Sequence, residues 1–71
     1  MPRFLITTRR ESRESTKPPS EAVKGFAGVS VVQVHSDDMV TVDATEADAS
    51  ELRDALGAQY HVEPEIRRGL H

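Results

Sequence analysis

Few residues in this sequence are placed to do chemistry. The three histidines, His35, His61 and His71, fall in separate segments, and none stands four residues from another on a helix, so no metal-ligating signature is present. Cysteine is absent, which removes thiolate ligands, thiol nucleophiles and disulfides together. Asp37 and Asp38 are adjacent carboxylates, but they lie among turn-forming residues, where such side chains bond nearby backbone amides and face water. Serine, histidine and aspartate all occur, without the strained turn that would present a nucleophilic serine. With 71 residues the chain is one domain, too small to build an enclosed, water-excluding cavity. The sequence predicts no catalytic residue, no metal and no cofactor, and it points to recognition rather than catalysis.

Charge narrows the kind of partner. Residues 1–24 carry six basic and three acidic groups, a net of +3, whereas residues 25–71 carry three basic and nine acidic groups, a net of −6. An acidic C-terminal two-thirds disfavours a phosphate backbone, and the basic residues of the first part are diluted by Glu11 and Glu14. RNA-binding sheets stack bases on aromatics of their central strands. Here Phe4 is the single aromatic residue in the expected central strands, so nucleic acid is not an expected partner. No run approaches the roughly eighteen apolar residues of a membrane span, and Phe4-Leu5-Ile6 is too short for a signal-peptide core. A membrane is not expected either. The compartment stays open: cytoplasmic if the chain is complete, secreted if it is excised from a larger precursor.

The elements that position the surface residues can be read in order. Phe4-Leu5-Ile6-Thr7-Thr8 is a β-prone run, and its unbroken apolarity predicts a central strand at least partly covered on both faces. Arg9 to Lys17 has no apolar residue and reads as a charged, exposed loop. Residues 18–28 predict a short helix, with Pro19 in its first turn, Val23, Phe26 and Ala27 on one face and Gly28 at its end. Val29 to His35 is rich in β-branched residues and reads as a strand. Ser36-Asp37-Asp38 supplies a turn. Met39 to Ala44 then alternates, with Val40, Val42 and Ala44 on one face and Met39, Thr41 and Asp43 on the other, completing a hairpin. Thr45 is a helix N-cap with Asp48 three residues on. Ala49, Leu52, Ala55 and Leu56 make the apolar stripe that follows, and Gly57 ends it. Ala58, Tyr60 and Val62 alternate in a last strand, and Pro64 limits its pairing, so that the strand is an edge or ends there. Residues 66–71 form an extended C-terminal tail.

This order, β-α-β-β-α-β, is that of a ferredoxin-like α+β fold: a four-stranded antiparallel sheet with two helices on one face. One helix layer covers only one face of the sheet. Leu5, Val31, Met39 and Thr41 are the residues expected on the other, together with Thr7 and Gln33, as a semi-apolar protein-binding surface.

Three segments carry a family likeness. They are Met39-Val40-Thr41-Val42-Asp43-Ala44, the helix core Ser50-Glu51-Leu52-Arg53-Asp54-Ala55-Leu56, and Tyr60-His61-Val62-Glu63-Pro64-Glu65 ahead of a short tail. In this order they resemble the propeptide, or peptidase inhibitor, domain of subtilisin-like serine proteases, and Phe4-Leu5-Ile6 resembles that family's first strand. The resemblance implies a domain that binds and inhibits a subtilisin-like serine protease, and that also acts as an intramolecular chaperone if it belongs to the protease's own precursor. In such domains the uncovered sheet face packs on two surface helices of the protease. Glu63 and Glu65 match the carboxylates that cap the N-termini of those helices. The tail is implied to lie in the substrate cleft in product-like fashion, with His71 in the specificity pocket and Leu70, Gly69 and Arg68 in the next three subsites. The free chain is expected to be a monomer. The alternative is a non-inhibitory ferredoxin-like interaction module acting through its open sheet face.

Overall fold

The computed structural model describes residues 2–12 and 17–65. Strand β1 (Arg3–Thr8) leads through a 3-10 turn at Arg10–Ser12 to helix α1 (Pro19–Ala22), which continues as a second 3-10 turn at Val23–Gly25. Strands β2 (Ser30–Ser36) and β3 (Met39–Asp43) form a hairpin, followed by helix α2 (Glu46–Leu56) and strand β4 (Tyr60–Pro64). The sheet order is β2-β3-β1-β4, and every neighbouring pair is antiparallel. This is the expected ferredoxin-like α+β arrangement, with β1 in the interior and β4 at an edge.

Alternation decides which side chains meet the helices. Phe4 lies opposite both Val42 and Pro64, and Ile6 lies opposite both Val40 and Val62. Side chains directly across a strand pair share a face, so these residues form one apolar layer. Ala22 and Val23 from the first helical segment and Ala49 and Leu52 from α2 pack onto it, with Ala44 and Tyr60 completing the buried cluster. Phe26, Val29 and Leu56 close its margin and are half-buried. Both helical segments therefore bury against the same side of the sheet.

The helices differ from their sequence expectations in length and face. The first stops at Gly25 rather than Gly28: glycine is a poor helix former, and Phe26 after it is already extended. Val23 is buried, but Ala27 is exposed. In α2, Thr45 is the N-cap: its Oγ1 accepts the Asp48 N–H at 3.1 Å and donates to Asp48 Oδ2 at 2.9 Å. Gly28 passes so close to the Asp48 carboxylate that a methyl group there would displace it. Ala49 and Leu52 are buried, whereas Ala55 of the expected stripe faces solvent. Ala58 lies in the turn before β4 and is likewise exposed.

Two longer contacts tie the ends of the core together. The Tyr60 hydroxyl donates to the Lys17 carbonyl, and burial pushes the Tyr60 phenol up from its ordinary pKa. Arg9 donates through Nε to the Gly57 carbonyl at 2.8 Å, pinning the chain after β1 to the end of α2.

Candidate functional site

The face of the sheet away from the helices is built from the odd-numbered residues of β1, β3 and β4. Leu5 lies between Thr41 and Glu63, and Thr7 lies between Met39 and His61. Strand β2 adds Gln33 opposite Thr41 and Ser36 opposite Met39. Leu5, Met39 and Thr41 therefore share the face on which the sequence placed them. The surface they make is more polar than expected. Arg3 Nε approaches Asp43 Oδ1 at 3.3 Å in an exposed ion pair, and His61 Nε2 lies 3.3 Å from Glu63 Oε2 in an exposed polar contact.

Thr41 is not free for direct contact. It is only 3% exposed, and its Oγ1 shares a hydrogen bond of 2.7 Å with His35 Nε2. His35 was not expected on this face. The β2–β3 register slips by one residue between Val31 and Gln33 and again between Val34 and Ser36, leaving Val32 and His35 as extra residues. A bulge re-aims side chains, and the second one brings the His35 ring onto Thr41.

The same irregularity corrects the placement of Val31. It lies opposite Val42, and Val34 lies opposite Val40, so both belong to the helix side of the sheet rather than to the face shared by Leu5 and Met39. Neither is covered there, because β2 is the edge strand farthest from β4. Val31, Val32 and Val34 are 42%, 40% and 56% exposed. The exposed large apolar side chains of the described residues thus sit on β2, not on the open face.

Glu63 and Glu65 are both exposed at the end of β4. The Glu65 N–H donates to the Arg3 carbonyl at 2.8 Å, so the ladder with β1 holds the backbone of this carboxylate pair in place. Arg68, Gly69, Leu70 and His71, the expected cleft-binding tail, lie outside the described residues.

The two edges of the sheet are unlike. Arg9 donates its N–H to the Gln59 carbonyl, and Glu65 donates to the Arg3 carbonyl. These bonds mark the alternate β1–β4 pairs that are hydrogen-bonded, so the main-chain groups of Val62 and Pro64 point outward. Pro64 has no N–H to offer, and the Val62 carbonyl receives Arg53 Nε at 3.4 Å. The Arg53 guanidinium also stands 5.8 Å from the centroid of the Phe4 ring. The β4 edge is therefore blunted by an arginine and a proline, two recognised ways of protecting an edge strand. The β2 edge has neither.

No group of three or more His, Cys, Asp or Glu side chains able to share a metal ion occurs among the described residues. No helix among them is long and apolar enough to cross a membrane. No family model, no curated protein and no solved structure matches this chain.

Proposed function

We propose that this chain is a propeptide-like inhibitor domain that binds a subtilisin-like serine protease. The observation that carries the reading is the pair of exposed carboxylates, Glu63 and Glu65, at the end of β4, beside a sheet face that the helices leave uncovered. Helix N-termini present unpaired N–H groups and partial positive charge, and a carboxylate satisfies both. Two carboxylates separated by one residue on an extended strand can address two neighbouring helix ends. The ladder bond at Glu65 limits the entropy lost when they do so. The tail from Ile66 to His71 would add to an edge of the substrate cleft through backbone hydrogen bonds, so that inhibition is competitive. If the domain belongs to a protease precursor, its binding to the folded enzyme alone would also favour folding of that enzyme.

The test is titration of the purified chain into a panel of subtilisin-like proteases acting on a small chromogenic peptide. Competitive loss of initial rate is expected for at least one of them, and removal of Gly69–His71 should weaken it sharply. No inhibition across the panel overturns the reading, while undiminished inhibition by the shortened chain overturns the role of the tail. A non-inhibitory interaction module is the second reading; the exposed valines of β2 favour an interaction surface, but one on the β2 edge and not on the open sheet face.

A further inference from the structure

The strand β2 has only one neighbour in the sheet, β3, so a row of its backbone N–H and C=O groups has no strand partner among the described residues. All seven of its residues are exposed, and three of them are valines. It lies within Gly25–Ser36, which contains no Asp, Glu, Lys or Arg and is the longest such stretch of the chain. An uncharged edge strand without lysine or proline is a template for another strand, although the two bulges of β2 make it less flat than a regular edge. Because the molecule protects its β4 edge with Arg53 and Pro64, the openness of β2 is a difference between the two edges and not a general property of this sheet.

We propose that β2 pairs with β2 of a second copy of this chain, antiparallel and about a two-fold axis, making a continuous eight-stranded sheet. Charge selects the occupant. The protein carries a net charge of −3, so two copies repel on balance, and the uncharged β2 edge is a place where they approach without like-charge contact. An acidic or basic partner would find no complement there, whereas a second β2 is equally neutral. Geometry selects the register. The bulges place Val31 and Val34 on the same side of the sheet, opposite Val42 and Val40. A two-fold axis midway between them sets Val31 of each copy beside Val34 of the other. Isologous pairing of this kind closes after two subunits and leaves no free β2 edge for further growth. The open face with Leu5, Met39 and the Glu63 carboxylate stays uncovered in such a dimer, so the pairing is independent of the proposed protease binding.

Sedimentation equilibrium of the full chain over a wide concentration range tests the pairing. The weight-average mass is expected to rise from 7.8 kDa toward twice that value. Val34→Lys should raise the midpoint concentration by about tenfold or more, since each interface would hold two unpaired ammonium groups, one beside each Val31. Val34 is more than half exposed in the single chain, so the variant should keep the wild-type circular dichroism spectrum. Hydrogen exchange at high and low concentration supplies a second readout, with added protection expected in residues 30–36 and none in residues 60–64. A mass that stays at 7.8 kDa throughout overturns the proposal. So does a dimer that Val34→Lys leaves intact, or concentration-dependent protection that falls on β4 or the open face instead.

Discussion

The hydroxyl of Tyr60 donates a hydrogen bond to the carbonyl of Lys17, 43 positions earlier in the chain. Tyr60 is among the largest fully buried side chains, and this contact fastens the segment entering α1 to the beginning of β4. Tyr60→Phe keeps the ring and removes the bond, and it should cost about 1 kcal/mol of stability, measured as a lower urea midpoint. Burial raises the Tyr60 pKa above the ordinary 10.0, so the folded state holds the phenolic proton more tightly than the unfolded state. That contribution is fully present below pH 10.0 and is lost as pH rises through the folded-state value. Alkaline denaturation of the wild type should show this loss, and the phenylalanine variant should lack it.

Thr8 makes the opposite experiment possible. Its side chain is 4% exposed, and Oγ1 has no hydrogen-bond partner among the described residues. A buried hydroxyl without a partner loses its hydration and gains nothing in return. Thr8→Val replaces it with a methyl group of similar size and should stabilise the domain by about 1 kcal/mol. An unchanged or lower urea midpoint would show that the hydroxyl is satisfied after all.

Helix α2 depends on the residue that caps its N-terminus. Thr45 Oγ1 both accepts from the Asp48 amide and donates to the Asp48 carboxylate. Thr45→Ala should cost about 1 kcal/mol, and Thr45→Ser, which keeps the oxygen, should recover most of it. The ratio of the two effects in thermal or urea unfolding separates capping from lost methyl packing.

The carboxylates of β4 should affect binding and not folding. Glu63 and Glu65 are exposed, and surface contacts such as that between His61 and Glu63 contribute little to stability. Glu63→Gln and Glu65→Gln are each expected to leave the urea midpoint within about 0.5 kcal/mol of wild type. Each should weaken inhibition of a responsive subtilisin-like protease by about two- to fivefold, the scale of one charge at a helix N-terminus. Unaltered inhibition constants in the double variant would remove the helix-capping role.

Element order and the faces of β3 were legible from sequence because they rest on local patterns. Val40 and Val42 alternate with Met39 and Thr41, Thr45 precedes an apolar stripe, and Pro64 marks an edge. Each of these signals lies within a few residues of the feature it specifies. The face of Val31 was not legible, since it depends on two register shifts against β3, and nothing in Ser30–Ser36 announces an inserted residue. The burial of Thr41 under His35 follows from the same shifts. The exposed valines had one available signal, the absence of charge from Gly25 to Ser36, which says that a segment avoids charge but not which edge it occupies. The contacts of Arg53 with Val62 and Phe4, and of Tyr60 with Lys17, join side chains to groups that only the assembled sheet brings together.

The position of β1 has a kinetic consequence. It is an interior strand, and its two partners lie at residues 39–43 and 60–64, so every ladder bond it makes within the sheet closes a loop of more than thirty residues. The β2–β3 hairpin and α2 can begin to form from contacts between near neighbours in the chain, but neither contains a complete apolar layer. Loop closure must be met before that layer exists, which makes late, concerted assembly the expected route and slows folding relative to helical domains of this length. Until β4 docks, Phe4 and Ile6 have a partner strand on only one side, and a chain interrupted before Tyr60 should behave as a largely unfolded polymer rather than as a smaller version of the domain.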